Sequence, residues 1–473
     1  MSTGRWTRAG RITGPTMAGA VGWCVFATYL MVQSSLGTPL VWNDSRVYVS
    51  MAHRPLWSPA LWAGPRPPLT PLVIKVVGGA SAVVTVQTAF AAVAWGALAW
   101  TVGRLVAPGW RRIAAGAVVL GFATTLPIVQ WNRSELSESL SLSLLALVFA
   151  TFLWTSRRPT WPRVAAATGV ALAFAAVRDA QVWSVGMLAL AMGVYALTRL
   201  RSHRSTALRA GTLAVGLLAV VALCEWGTLA SQRTTPDTAD VLFARVLPFP
   251  DRVAWFAAHG MPQQHQIDRL ARETVASPTG VKVVGIDPHD PRFQPFERWL
   301  RTQSGGTYLL WLVSHPAYVV TEPLQRPERA FNFAQGDLAF YAPTTHPAAS
   351  PLTRVLWPPL DELLVLAVLA LYLGIVSDVW RTGPWRMLVV LTLVGLAGMV
   401  VAWHGDGQEV TRHTVEGFTQ VRLGVWLLVT LGVFQLPVLR RARAGKEAVS
   451  IAPEPTAGAG AVSSSAGQQT PGP

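Results

Sequence analysis

Residues 16–36 read TMAGAVGWCVFATYLMVQSSL, and the chain continues GTPLVWNDSR through residue 46. The first stretch carries no charged side chain, and its length matches the ~20 residues that a helix needs to cross a bilayer. The second leads out of it into Trp42-Asn43-Asp44-Ser45-Arg46. A carboxylate at the mouth of a helix bundle is costly to hold unless it is solvated or paired. Asp44 is therefore the first candidate site residue, and the later spans decide which side of the membrane it faces.

The rest of the chain has the composition of an integral membrane protein. It has 473 residues, of which 51% are hydrophobic and 13% charged, whereas soluble domains carry about 25% charged residues. Mean hydropathy is +0.37. The net charge of +15 would suggest nucleic acid in a soluble protein. Here the arginines cluster at the ends of apolar runs, where topology and anionic headgroups account for them, so membrane lipid is the expected partner and nucleic acid is not. Cys24 and Cys224 both lie inside apolar runs. That placement suits packing better than a disulfide or a zinc site. Arg5, Arg8 and Arg11 precede the first run, as in a signal peptide, but the many spans that follow favour a retained first helix.

About ten spans follow from the hydropathy pattern: 16–36, 84–104, 112–130, 137–156, 163–177, 181–199, 208–229, 357–378, 385–403 and 417–437. Between them the loops alternate. One set carries Arg104, Arg111 and Arg112; Arg157, Arg158 and Arg163; Arg199, Arg201 and Arg204; Arg381 and Arg386; and Arg440, Arg441 and Arg443. The positive-inside rule puts this set and both termini in the cytoplasm. The other set, 37–83, 131–136, 178–180, 230–356 and 404–416, then faces outward and holds Asp44, Glu135, Asp179, Asp406 and Glu409, with Glu138 alongside. The pair 163–177 and 181–199 is the weakest pair of crossings, because Arg178-Asp179 splits it and its first member is short; one full span with a re-entrant neighbour is the other reading. The expected fold is an all-α polytopic membrane protein with one large exterior module. Residues 1–229 form an N-terminal membrane module of about seven helices, 230–356 the exterior module, 357–437 about three C-terminal helices, and 438–473 a cytoplasmic, disordered tail.

Several details refine that outline. Residues 66–83 are Pro-interrupted and carry Lys75, which suits a helix lying along the interface. Trp42, Trp57, Trp62, Trp131, Trp311 and Trp403 fall at outer boundaries, as aromatic belts do. Residues 307–320 are apolar but broken by His315-Pro316, so that stretch is expected to pack on the membrane surface.

Four clusters could carry chemistry. Asn43-Asp44, with Arg46 and Tyr48, offers a base for an acceptor hydroxyl; Asp44 could equally cap a helix starting near Ser45. Glu135 and Glu138 are three apart and would share one face of a helix. They could orient a substrate or pair with arginine, and Glu135, lying farther out, is the stronger candidate; an interfacial helix capped by Ser134 is the structural reading. Arg178 could bind a phosphate or neutralise Asp179 or Asp44. Arg412 and His413, just before the last span, could hold an anion. His404, Asp406, Glu409 and His413 could in principle ligate a metal, but no strong signature supports one, and no cofactor is expected. Arg422, deeper in the last run, needs a partner or a polar cavity. No P-loop, dinucleotide fingerprint, Gly-x-Ser-x-Gly elbow or Cys-x-x-Cys is present.

On these residues the chain resembles the polytopic GT-C-type glycosyltransferases that use polyprenyl-phosphate sugars, among them protein O-mannosyltransferases, the lipid A aminoarabinose transferase and mycobacterial arabinosyltransferases. The matching features are Asp44 in the first exterior loop, Arg66-Pro67-Pro68-Leu69-Thr70-Pro71 before the second span, Glu135 and Glu138 in the next exterior loop, and Arg412-His413 ahead of a late span. They cover roughly 16–230 and 357–437. The chain departs from the family pattern in having Ser45 where many members carry a second acid, and in placing its large module before the last three spans. The resemblance implies a glycosyltransferase in a bacterial plasma membrane that passes a sugar from a polyprenyl phosphate to a cell-envelope glycan, lipid or protein. It implies Asp44 as catalytic base, Arg178, Arg412 and His413 on the donor phosphate, and Asn43, Glu135 and Glu138 orienting the substrates. High Ala, Arg, Gly and Trp usage fits a GC-rich bacterium. The rival readings are a non-catalytic lipid or polysaccharide transporter, an envelope structural protein, and a transferase of another group.

Overall fold

In the computed structural model the described residues are 14–36, 38–231, 233, 235–262, 294–325, 327, 351–407 and 410–450. Their regular structure is helical, and their only β contact is a single parallel bridge between Leu40 and Ser134. The first half comprises α1 (Gly14–Ser35), α2 (Asn43–Ala52), α3 (Pro59–Trp62), α4 (Leu69–Val77), α5 (Ala80–Gly103), α6 (Trp110–Ala123), α7 (Leu126–Val129), α8 (Ser137–Arg157), α9 (Trp161–Val177), α10 (Asp179–Arg199) and α11 (Arg204–Ser231). Smaller helices follow: α12 (Thr235–Arg245), α13 (Pro250–Ala258), α14 (Gln294–Thr302), α15 (Ser304–Ser314), α16 (Pro316–Leu324) and α17 (Pro351–Leu356). The chain closes with α18 (Leu360–Val376), α19 (Gly383–Gly405), α20 (Val410–His413) and α21 (Val415–Ser450).

The protein is an all-α polytopic membrane protein. Among the described residues seven helices are long and apolar enough to cross a bilayer: α1 from Met17, α5, α8, α10, α11, α19 and α21 up to Gln435. An eighth crossing forms if α6 and the segment Leu126–Arg133 are taken together, bent by 58°. Pro127 explains the bend, because it disfavours helix at the residue before it and donates no hydrogen bond. Thr124 and Thr125 hold the break, their hydroxyls donating to Gly121 O at 2.8 Å and Phe122 O at 2.7 Å. The expected spans 163–177 and 357–378 correspond to α9 and α18, each 17 residues. At ~1.5 Å per residue such a helix reaches about 25 Å, short of the ~30 Å hydrocarbon core. The last helix runs beyond the expected boundary at 437, to Ser450; residues 451–473 lie outside the described part of the structure.

α8 is the centre of the bundle, with 78% of its apolar window buried against 17% for α1 at the edge. It packs on α5, α9 and α19; α10 packs on α11 and α19; and α21 lies against α18 and α19. Gly424 lets α21 press onto α19, since a Cβ there would overlap the Thr392 side chain. Small residues at such crossings let backbones approach where lipid offers no hydrophobic drive. α1 is pinned to α5 by the Trp23 indole, which donates to Ala92 O at 2.9 Å.

α8 also separates two chemically different ends. At one end Arg157 donates to Arg104 O at 2.8 Å, Arg163 to Trp154 O at 2.9 Å and Arg209 to Pro159 O at 2.9 Å. Arg157 and Arg163 there cover carbonyls at the C-terminal ends of α5 and α8, where cations are favoured. The other end, about 30 Å away along α8, carries Glu138 and the loop helices. α4 sits at this second end. Gly78, at φ +96°, turns the chain from α4 into α5, a conformation that side-chain-bearing residues rarely adopt. Lys75 of α4 donates to Ala52 O at 3.0 Å and Arg54 O at 2.9 Å, capping α2.

The described part of 230–356 has its own apolar cluster, including Leu242, Phe243, Val246, Phe256, Phe296, Trp299 and Trp311. α15 and α16 meet at the break His315-Pro316, and they expose Leu309, Leu310, Val313, Val320 and Leu324. The module docks on the C-terminal end of α19. Arg245 lies 4.1 Å over the Trp403 ring and donates to Asp406 O at 2.8 Å, Trp403 donates to Glu322, and His404 bridges Tyr308 Oη at 3.2 Å and Val319 O at 3.0 Å. These contacts correct the aromatic-belt expectation. Trp131, Trp311 and Trp403 are buried packing residues, while Trp57 and Trp62 are exposed. Arg422 is fully buried without an acidic partner among the described residues. It is satisfied by Pro358 O at 3.2 and 3.3 Å and by the Trp357 and Phe418 rings.

Candidate functional site

The end of the bundle that carries α2 holds a network of charges from four distant stretches. α2 begins at Asn43, so Asp44 lies inside its first turn and is not the cap. Ser45 holds this start, its Oγ accepting from Trp42 N at 3.0 Å and donating to Glu135 O at 2.8 Å. The Asp44 carboxylate is thereby free to face two guanidinium groups, Arg66 at 2.6 Å and Arg412 at 2.9 Å. Asn43 opens the same helix, and its side chain lies outside the described part of the structure.

Glu138 and Glu135 do not share a helix face as the spacing predicts. Leu136 is the N-cap of α8, so Glu138 enters the helix while Glu135 stays in the bend before it. Its backbone N–H donates to Leu40 O at 3.0 Å, which ties the two loops together. Burial pushes the Glu135 carboxyl up, and no ion pair reaches it among the described residues. Glu138 is fully buried and is the hub: Arg412 contacts it, and Arg178 approaches it at 3.2 Å.

Arg178 turns away from its neighbour Asp179. It adopts an extended N-cap conformation and reaches Glu416 at 2.9 Å as well as Glu138. Asp179, the first helical residue of α10, pairs instead with Arg233 at 2.8 Å and accepts from Thr228 Oγ1 at 3.1 Å. The expected pairing of Arg178 with Asp179 or Asp44 is thus replaced by two glutamates. Buried charges need close partners, and three arginines (66, 178 and 412) interleave here with three acids (44, 138 and 416).

These arginines wall a cavity of about 230 Å³, together with Tyr48, Ser137, Asp179, Glu225, Asp237 and His413. Asp44, Glu138 and Glu416 are not part of its lining; they neutralise the arginines from behind. His413 lines it and meets Asp406 at 3.3 Å. Tyr48 is buried, its hydroxyl donating to Ser137 Oγ at 3.2 Å, and burial raises its phenol. The Asp237 carboxyl, in the cavity lining, is also altered by its surroundings. Burial above all, with the Asp406 charge adding, pushes it up to about 6 despite the opposing pull of His413. A carboxyl near that value can accept and return a proton at neutral pH. Among the described residues no group of three or more His, Cys, Asp or Glu side chains is placed to hold a metal ion, and Glu409 lies outside them.

Three residues of this site are not candidates from the sequence alone. Arg66 enters that reading only as the first residue of the Pro-rich stretch before the second span. Glu416 lies four positions after Arg412, a spacing that brings side chains together on a helix. Asp237 sits in the long module, and no pattern in the sequence marks it. The fold and this cavity define an all-α membrane protein with a pocket at one end lined by both arginines and carboxylates. No family model, curated protein or solved structure matches the chain.

Proposed function

We propose that the protein is a membrane glycosyltransferase that takes a sugar from a polyprenyl phosphate on the exterior face and passes it to a cell-envelope hydroxyl. The observation that carries this reading is the arginine wall of Arg66, Arg178 and Arg412 around one cavity beside several carboxylates. In the reaction the acceptor oxygen bonds to the anomeric carbon, the bond from that carbon to the phosphate oxygen breaks, and the hydroxyl proton passes to a carboxylate. The electron pair leaves on the polyprenyl phosphate, whose negative charge grows. Guanidinium groups preset around that phosphate stabilise the growing charge. Ionisable groups of an ion-coupled transporter would instead be expected near mid-membrane. In this reading the bundle has ten crossings of GT-C type, both termini are cytoplasmic, and the membrane is a bacterial plasma membrane.

Asp44 is the base in this scheme. It is held by Arg66 and Arg412, and an arriving phosphate competes for both arginines and releases it. A second reading makes Asp237 the base, favoured by its place in the cavity lining and its raised carboxyl. Transfer from a lipid-linked sugar in membranes, compared among wild type, Asp44→Asn and Asp237→Asn, decides. Loss of turnover by about 100-fold or more in Asp44→Asn alone supports the first reading, and the same loss in Asp237→Asn alone supports the second. Unchanged turnover in both removes Asp44 and Asp237 as the base, and no transfer by wild type with any lipid-linked sugar removes the proposal.

A further inference from the structure

α2 has a second face. Tyr48 lines the arginine-walled cavity and Asp44 pairs with two of its arginines, while Arg46 and Ser50, four positions apart, turn the other way, with Arg54 just past the end of the helix. Residues at that spacing share a helix face. Together with Met51, Pro65 and Ser231 they line an open groove of about 450 Å³. Three stretches contribute to both hollows. α2 divides them, Gly64 and Pro65 line one and Arg66 and Pro67 the other, and the end of α11 gives Ser231 to one and Thr228 to the other.

The charge of the groove differs from that of the cavity. The cavity arginines are neutralised from behind, whereas Arg46 and Arg54 meet no carboxylate among the described residues and are exposed. Two exposed guanidinium groups and a hydroxyl lining one groove offer the donors that a phosphate takes. The backbone at Arg54 is anchored, because Lys75 donates to its carbonyl at 2.9 Å. Beside the groove stands an apolar lip: Leu56 is 53%, Trp57 85% and Trp62 45% exposed. Exposed tryptophans next to basic side chains mark the level of lipid headgroups.

We infer that this groove binds the phosphate headgroup of an anionic lipid from the adjacent leaflet, with Arg46 and Arg54 on the phosphate and the 56–62 lip against the acyl chains. The site is separate from the transfer reaction and does not depend on it. Calorimetric titration of the purified full chain in neutral detergent tests it, with dihexanoylphosphatidylglycerol, dihexanoylphosphatidylcholine and inorganic phosphate as probes. The glycerol lipid is expected to bind, with its affinity falling about tenfold in Arg46→Gln and again in Arg54→Gln. Arg381→Gln, remote from the groove, should leave binding unchanged. Both groove arginines are exposed, so their removal should not cost the fold; an unchanged thermal midpoint checks this. Choline lipid binding as tightly as glycerol lipid overturns the inference, as does unchanged affinity in both variants. Inorganic phosphate binding as tightly as the lipid also overturns it, by assigning the groove to a soluble phosphate.

Discussion

Arg178 Nη1 and Glu416 Oε1 meet at 2.9 Å although 238 positions separate them in the chain. The pair joins the start of α10 to the start of α21, and Glu138 of α8 lies against the same guanidinium at 3.2 Å. One cation therefore holds two buried acids from two other helices. That makes it a structural joint as well as a wall of the cavity.

Removing that cation should be costly. Arg178→Met leaves Glu138 and Glu416 buried with their shared partner gone, and breaking a buried pair in this way costs about 3–5 kcal/mol. The expected result is a clear fall in the thermal midpoint in detergent, partly recovered when Glu416→Gln is added. A lone Arg178→Met with wild-type stability would show that water already solvates these acids.

Asp237 predicts a pH dependence of known sign. Its carboxyl is pushed up to about 6 from an ordinary 3.8. Between those values the folded chain keeps a proton that the unfolded chain releases. The stabilising contribution is therefore present below about pH 4 and is lost as pH rises through 6. Asp237→Asn does not titrate, so its stability relative to wild type should rise from pH 4 to pH 7. Thermal midpoints of both proteins across that range provide the check, and parallel curves would sink the assignment.

The docking of the module rests on Trp403. Arg245 covers its ring at 4.1 Å, and its indole donates to Glu322. Trp403→Ala removes a cation–π contact, about 2 kcal/mol when desolvated, as well as the packing of a buried ring. Faster tryptic cleavage at Arg245 and Arg252 is expected while the bundle stays helical. Unchanged cleavage would mean that the module is held mainly by other contacts.

Much of the architecture was legible because bilayer physics is severe. Seven apolar stretches had to be helices, and Arg104, Arg157 and Arg163 had to gather away from Asp44, Glu138 and Asp179. The helix breaks were less legible. Glu135 and Glu138 have helical spacing, but the Leu40–Ser134 bridge keeps Glu135 outside α8. Trp403 and Trp311 read as interface residues because a single sequence does not show that a module will fold over them. The site was readable as a set of residue types and not as a set of pairs. Arg178 adjoins Asp179 in sequence, yet the extended backbone at Arg178 sends their side chains to different helices. Asp237 gained its character only from burial, which depends on the whole fold.

The sidedness assigned to the site can be tested directly. In a Cys24→Ser, Cys224→Ser background, single cysteines at Trp57 and Arg201 report on opposite ends of the bundle. Both native residues are exposed, so substitution should be tolerated and the thiols reachable. The positive-inside rule puts Arg201 in the cytoplasm and Trp57 outside. A membrane-impermeant maleimide added to intact cells should then label Trp57→Cys and leave Arg201→Cys unlabelled until the membrane is permeabilised. The reverse pattern would place the arginine-walled cavity on the cytoplasmic face. A polyprenyl-phosphate sugar presented at the outer leaflet could not reach it there, and the glycosyl-transfer reading would fail whatever the chemistry of its side chains.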